Sequence, residues 1–401
     1  MESFFVNSAV SRLAPDSGRP FRLIVTGGGT GGHTYPALTT VRTLQARLAA
    51  TGRALDVVWV GTADGLEARV AASERIAFAA VATGKVRRAR NPLKMISPAN
   101  IKDMGRVPLG VAQARSIVSR FRPDVVLATG GYVAVPVGLA AAMCRRPLVV
   151  HEQTVRLGLA NRLLARTATR FAVSSESTVS LLPESSRGIA VVTGNPVRPE
   201  VLSGQADKAI NGLGLHGFDR TLPTVYVTGG AQGSQQINNV VGGVLPWLLS
   251  HANVVHQCGT ANVEELRRRT AELPPGLAAR YHLTGFIGPE LPDVLDLADV
   301  LVSRSGAGTI AEVTALGKAA VFIPLASSAG DEQAHNARYL QEDGAAVALL
   351  DEVSTAALRV AVEPLLTNSA RRAAIAARAR THGRPDAAER LVDVVLAAAR
   401  R

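Results

Sequence analysis

Twice along its 401 residues the chain runs from a β-branched apolar stretch straight into Thr-Gly-Gly. Leu23-Ile24-Val25-Thr26-Gly27-Gly28-Gly29-Thr30-Gly31-Gly32-His33 comes early, and Val225-Tyr226-Val227-Thr228-Gly229-Gly230-Ala231-Gln232-Gly233-Ser234 comes midway. An amphipathic helical stretch follows each, so each reads as a buried strand, a tight turn and a helix start. Glycine lets the backbone take φ > 0 and approach a ligand closely, which leaves amide N–H groups and the positive end of a helix dipole facing an anion. Two such units imply two nucleotide-binding-type α/β halves facing each other across a cleft, the layout suited to a nucleotide-diphosphate sugar.

The rest of the chain keeps the same alternation. Strands are expected at residues 23–26, 56–60, 78–81, 125–128, 148–150, 170–173 and 189–193 in the first half, and at 253–257, 282–284, 300–303 and 320–323 after the second loop. Helical patterns fill the intervals, among them 36–48, 65–72, 106–121 and 133–143. Strands alternating with helices argue for doubly wound parallel sheets in both halves. Gly194-Asn195-Pro196-Val197-Arg198 reads as the hinge between them, and the Ala- and Arg-rich tail from 370 to 401 reads as helix interrupted at Gly383. Residues 125–144 carry no charge over 20 positions, long enough for a membrane span, but Gly130-Gly131 and Pro136 break the run into strand, loop and helix. Residues 1–20 include Glu2 and Asp16 and no long apolar core, so they read as a loose extension rather than a secretory signal.

Cys144 and Cys258 are the only cysteines, too few for a disulfide framework or a cysteine metal site. The formal net charge is +12 and is almost all arginine, since lysine occurs only at 85, 94, 102, 208 and 318. That surplus points to an anionic partner, phosphate or a membrane surface. Lys85, Arg87, Arg88, Arg90 and Lys94 are interleaved with Leu93, Met95 and Ile96, a mixture suited to the headgroup layer of an anionic bilayer or, more plainly, to a solvated loop. The stretch has no aromatic side chains for base stacking, which disfavours nucleic acid.

The first loop also fits a dinucleotide pattern through Gly27, Gly29 and Gly32. That reading requires an acidic residue near the end of the second strand, where this chain has Trp59-Val60-Gly61-Thr62. The run from Arg304 to Glu312 is more telling. Its strand enters a small-residue turn and a helix, so Ser305, Gly306 and Thr309 could surround a diphosphate, and Glu312, about a turn inside, could accept from both hydroxyls of a ribose or could serve its own helix start. His33 is the candidate general base, because the dipole at its helix start favours a neutral ring able to take a proton. Its alternatives are to bind an acceptor diphosphate or to cap the helix. Glu152 is the competing base, and His151-Glu152 lacks the second histidine of a zinc helix, so no metal or organic cofactor is called for.

Eight motifs, in order, resemble the MurG family: Gly28–His33, Gly130-Gly131-Tyr132, His151-Glu152-Gln153, Gly158-Leu159-Ala160-Asn161, Gly194–Arg198, Gly229–Gly233, Ser305–Glu312 and Gln333-Ala334-His335-Asn336-Ala337. The likeness spans residues 21 to 395. It implies a GT-B fold, an α/β architecture of two Rossmann-like doubly wound parallel-sheet domains facing a central cleft. The implied activity is metal-independent, inverting transfer of N-acetylglucosamine from UDP-N-acetylglucosamine to lipid I, at the cytoplasmic face of the bacterial membrane. By similarity, Phe286 and Ile287 flank the uracil and Glu312 holds the ribose. The loops Ala231–Ser234, with Ala231, Gln232 and Gly233, and Ser305–Thr309, with Arg198, surround the diphosphate, Thr30, Gly31 and Gly32 also meet the donor, and Gln333 and Asn336 read the sugar. Gly28, Gly29, Tyr132, His151, Thr154 and Asn161 meet the prenyl-diphosphate glycan acceptor. The chain departs from the pattern at Thr154, Arg156 and Leu157, and Ala231 replaces the usual serine, changes compatible with a different prenyl-linked or soluble acceptor. The implied division is an acceptor and membrane-facing domain at 21–197, a UDP-sugar domain at 198–379, and a C-terminal helix at 380–401 returning to the first domain.

Overall fold

The computed structural model describes residues 18–84, 98–328 and 331–400. The basic and apolar segment Lys85, Arg87, Arg88, Leu93, Met95 and Ile96, expected to meet a membrane, lies outside the described residues, as does most of the N-terminal extension. Seven parallel strands form the first sheet: β1 (Phe21–Thr26), β2 (Leu55–Gly61), β3 (Ala77–Ala80), β4 (Val125–Ala128), β5 (Leu148–Glu152), β6 (Arg170–Val173) and β7 (Ala190–Val192). Six form the second: β8 (Thr224–Thr228), β9 (Asn253–Gln257), β10 (Tyr281–Thr284), β11 (Val300–Ser303), β12 (Ala319–Phe322) and β13 (Val347–Ala348). Their orders are β3-β2-β1-β4-β5-β6-β7 and β10-β9-β8-β11-β12-β13. Both therefore reverse direction beside their first strand, between β1 and β4 and between β8 and β11. Such a switch point leaves a crevice beyond the carboxyl ends of the strands, and it is where doubly wound sheets bind ligands.

Period-two alternation sends successive strand residues to opposite faces, and both faces are covered. Leu23, Val25, Leu127 and Val149 enter one core of the first sheet, while Ile24, Val126, Ala128 and Val150 enter the other. Val225, Val227, Val300 and Val302 face one side of the second sheet, and Tyr226, Leu301 and Phe322 the other. The expected 20-residue uncharged run is the buried strand β4, a glycine turn and the helix Ala134–Met143. Among the described residues no helix is long and apolar enough to cross a membrane.

Two differences from the sequence reading have physical causes. The first helix starts at Gly31, not Pro36, because the end of the glycine loop already winds helically, with the amides of His33 and Thr34 both donating to the Thr30 carbonyl. Strand β13 was not anticipated, since two half-buried residues carry no periodicity.

After the second sheet the chain forms the helices Ser369–His382 and Ala387–Ala399. Leu391, Val392 and Val395 of the last one are fully buried in the core of the first sheet beside Leu23 and Val25. The chain thus crosses between the halves twice, and the crossings touch. Gly194 sits at φ +83°, where a Cβ would stand 2.6 Å from the Arg384 Cβ and 3.0 Å from that of Ala387.

Candidate functional site

Both switch points open into one cleft of about 1690 Å³ between the halves. Three helix starts converge on it: Gly31–Ala49, Gln235–Leu249 and Ala307–Leu316, whose leading residues line its wall. None of the three has an acidic residue in its first turn. The N-caps Thr30 and Gly306 make no side-chain capping bond, so amide donors at two of the starts are left for a ligand. Aligned peptide dipoles and unfilled donors at one place make a site for a strongly anionic group such as a diphosphate.

The second glycine loop is held by its neighbours. Gly233 has φ +72°, and a Cβ there would stand 1.8 Å from the Cys258 carbonyl oxygen; Gly259, at φ +88°, is similarly pressed against the Gln232 oxygen at 2.1 Å. Gln257 ties this loop to the next. Its Nε2 donates to the Gly230 carbonyl at 2.9 Å, and its Oε1 accepts from the Ile287 amide at 2.9 Å. Arg304 donates to Ser234 Oγ at 2.6 Å and to the Ile323 and Pro324 carbonyls at 2.9 Å, bracing the loop against the end of β12. Phe286 is exposed on the cleft wall while Ile287 is buried. Arg198, from the hinge, donates through Nε at 3.2 Å and Nη2 at 2.8 Å to the same oxygen of Glu312, leaving Oε2 of that carboxylate outside the pair.

Of the residues expected around the donor, Thr30, Gly31, Gly32, Arg198, Ala231, Gln232, Gly233, Phe286, Ile287, Gly306, Thr309, Glu312 and Gln333 line the cleft together. Two do not. Ser305 is fully buried and its hydroxyl donates to the Gln333 carbonyl at 2.7 Å, so it joins the β11 turn to the helix Glu332–Glu342 instead of facing a phosphate. Asn336 is also buried, donates to the Ser305 carbonyl at 3.2 Å and accepts from the Val155 amide of the other half at 3.4 Å. It lines a smaller cavity of about 300 Å³.

On the first-half side, Gly29 and Tyr132 line the cleft, and Gly28 and Gly29 rest on a residue the sequence reading passed over. Glu67 is fully buried, accepts from the Thr62 amide at 3.0 Å and hydroxyl at 2.7 Å, and accepts from the Gly29 amide at 3.2 Å. Any Cβ at Gly28, Gly61 or Gly65 would come within 2.6 Å of its side chain, so these glycines make the space it occupies. Burial pushes its pKa up, but the hydrogen bonds from Thr62 and Gly29 outweigh that and hold it below the ordinary carboxylate value.

The expected acceptor set is corrected. Gly28, His151, Thr154 and Asn161 are buried and do not line the cleft. Glu152, the expected competing base, is buried with both oxygens engaged: Oε1 by Thr154 Oγ1 at 3.0 Å, Oε2 by the Gly158 amide at 2.8 Å and Asn161 Nδ2 at 3.0 Å. That carboxylate organises the 152–161 loop. His33 is half-buried at the end of the first glycine loop, next in sequence after the cleft-lining Gly31 and Gly32 and not itself among the lining residues, and its Nδ1 lies 3.0 Å from Gln153 Oε1. Among the described residues nothing is hydrogen-bonded to its Nε2, and no group of three or more His, Cys, Asp or Glu side chains is placed to hold a metal.

Comparison with known proteins places this geometry. The profile of the glycosyltransferase family 28 N-terminal domain matches residues 23–173, and that of its C-terminal domain matches residues 224–391. A protein of Desulforudis audaxviator named UDP-N-acetylglucosamine–N-acetylmuramyl-(pentapeptide) pyrophosphoryl-undecaprenol N-acetylglucosamine transferase is 34% identical over 93% of this chain and 97% of its own length. Its namesake in Listeria welshimeri is 33% identical over 94% of this chain and 99% of its own. Among solved structures, Acinetobacter baumannii MurG superposes with a TM-score of 0.73 at 28% identity, covering 94% of this chain and all of that one. A UDP-GlcNAc 2-epimerase of Neisseria meningitidis shares the fold, with a TM-score of 0.65 at 15% identity over 94% of this chain and 99% of that one. With both halves matched in order and relatives aligned along nearly their whole length, this chain belongs to the MurG family of glycosyltransferases.

Proposed function

We propose that this protein transfers N-acetylglucosamine from UDP-N-acetylglucosamine to the 4-hydroxyl of the muramoyl sugar of lipid I, with inversion, to make lipid II for peptidoglycan. The observation that carries the reading is the convergence of three helix starts with no acidic first turn on one cleft, beside a carboxylate and an arginine. Transfer requires the bond from the anomeric carbon to the diphosphate to break, and negative charge then grows on UDP. Preorganised amides and the Arg198 guanidinium stabilise that charge where it develops. Glu312 holds the ribose through the oxygen that Arg198 leaves open, and Phe286 with the Ile287 backbone frames the base. The acceptor enters from the first half past Gly29 and Tyr132, and His33 takes the proton of the attacking hydroxyl. Peripheral association with the cytoplasmic face of the membrane goes with this acceptor and with the interleaved cations and apolar residues at 85–96.

The test is transfer of labelled N-acetylglucosamine to a lipid I analogue, with and without chelator, beside His33→Ala and Glu312→Ala. Glu312→Ala removes charge-assisted bonds worth about 1.5–3 kcal/mol, so calorimetry is expected to show UDP-N-acetylglucosamine affinity falling about 10- to 150-fold. His33→Ala is expected to keep donor affinity and lose about 10²- to 10⁴-fold in turnover. Tight donor binding without lipid II formation by the wild type would overturn the acceptor and direct the search to other prenyl-linked glycans.

A further inference from the structure

One chain of hydrogen bonds under the first glycine loop reads in a single direction. Gln153 follows β5 and is buried; its Nε2 lies 2.7 Å from the Thr129 carbonyl and 2.9 Å from the His151 carbonyl. Carbonyl oxygens only accept, so this end of the side chain is the NH₂ group and the orientation of the amide is determined by its partners. The other end, Oε1, then faces His33 Nδ1 at 3.0 Å and can only accept, so the proton of the neutral His33 ring resides on Nδ1. Its lone pair is left on Nε2, the nitrogen with no hydrogen bond among the described residues. Downstream the logic repeats. His151 Nε2 lies 3.0 Å from the Gly194 carbonyl at the hinge, which only accepts, so the proton of the neutral His151 ring is on Nε2 and its unprotonated Nδ1 faces the Gln153 NH₂ group at 3.1 Å. His151 is fully enclosed, and burial pushes its pKa down to about 4, in keeping with a ring that stays neutral.

We propose that Gln153 is the positioning residue for the base, fixing the proton of His33 on Nδ1 and so presenting Nε2 to the acceptor hydroxyl. The inference rests on the reading of His33 as base. In the step it serves, the acceptor oxygen bonds to the anomeric carbon and its proton passes to Nε2. The bond from the anomeric carbon to the phosphate oxygen breaks, with its electron pair leaving on UDP. The imidazolium so formed keeps its Nδ1–H on the Gln153 carbonyl, whose dipole is already oriented toward it. No rearrangement is needed as the charge appears, which is the advantage of a preset acceptor. The far end of the chain is a hinge carbonyl, so the same bonds register the base against the segment joining the two halves.

The experiment is ¹⁵N NMR of the protein labelled at its histidine rings, with the His33 resonances assigned by their loss in His33→Ala, beside steady-state kinetics. In the wild type, with the ring neutral, the expected spectrum has a protonated Nδ1 and an unprotonated Nε2. Gln153→Met keeps the side-chain length but removes the acceptor. It is expected to release the tautomer and lower kcat about 10- to 100-fold while the KM for UDP-N-acetylglucosamine is unchanged. Gln153→Glu keeps an oxygen facing Nδ1, so it is expected to preserve the tautomer, recover kcat relative to Gln153→Met, and move the acidic limb of the kcat/KM profile to higher pH by favouring imidazolium. Donor affinity by calorimetry reports whether each variant is folded. A wild-type proton on Nε2, or an unchanged tautomer in Gln153→Met, overturns the inference. So does a released tautomer with unchanged kcat; if His33→Ala also retains turnover, the reading of His33 as base falls with it, whereas lost turnover in His33→Ala confines the failure to Gln153.

Discussion

Glu67 shows how much of this site depends on a side chain that is fully buried and does not line the cleft. Its carboxylate takes the place of three absent glycine side chains and holds the Gly29 amide, so Glu67→Gln puts an NH₂ group against donors. The expected loss is about 1–3 kcal/mol of stability at neutral pH, measured by urea unfolding. The folded pKa lies below the ordinary 4.5, so the contribution is complete above that value and is lost as pH falls through the depressed one. The gap between wild type and variant should hold from about pH 8 to about pH 5 and narrow below; a gap undiminished at about pH 3 would remove the carboxylate from the account. Glu312 could be placed at the cleft from the sequence because it stands inside a short motif whose strand, turn and helix are local, whereas Arg198, in the hinge turn, was expected there only from the family resemblance; both line the cleft. Glu67 was not legible, because its partner Gly29 lies 38 positions away, and an acidic residue at a helix start already has a local explanation. Ser305, expected at a phosphate because it stands in a glycine-rich turn, and Asn336 and Glu152, expected at the sugar and as a base, are buried instead, and only the packed structure shows that their polar atoms are taken up by neighbouring segments.

The second glycine loop allows stability and binding to be separated within one turn. Both Gly230 and Gly233 line the cleft, but Gly230, at φ +88°, has nothing within 4 Å of a Cβ, whereas Gly233, at φ +72°, is pressed on the Cys258 oxygen. Gly230→Ala carries only the left-handed backbone penalty of about 1–2 kcal/mol, with its methyl added on the ligand side. Gly233→Ala carries that penalty and also displaces the 258–259 turn, a further loss of at least about 2 kcal/mol. Thermal unfolding and UDP calorimetry together should show the first variant losing affinity more than stability and the second the reverse. Equal losses in both measurements would mean that the loop moves as one body. Elements with a sustained apolar run and a glycine or proline boundary were readable, as β4, β6, β9 and β11 were to the residue. Their limits blurred where backbone bonds outran side-chain pattern, as at Gly31, where the loop winds into its helix ahead of Pro36.

At the scale of the molecule, the repeated strand order was foreseeable from the repeated loop, while the path of the tail depended on its resemblance to a family. Leu391 and Val395 belong to the end of the chain but are fully enclosed in the core of the first sheet. Leu391→Ala is expected to destabilise by about 2–5 kcal/mol, and hydrogen exchange should show the loss of protection in β1 and β4, not in β8 or β11. Exchange that rises only in the second sheet would contradict that placement. The same helix bears on how the protein is made. A ribosome delivers β1 to β7 first, yet the helix that covers Leu23, Val25, Leu127 and Val149 follows the entire second half, a wait of about 10–40 s at usual elongation rates. Until then the nascent first sheet lacks part of the cover on that apolar face, which the helix Gly31–Ala49 shares with the end of the chain. The first half thus completes its core only once the last helix has been made.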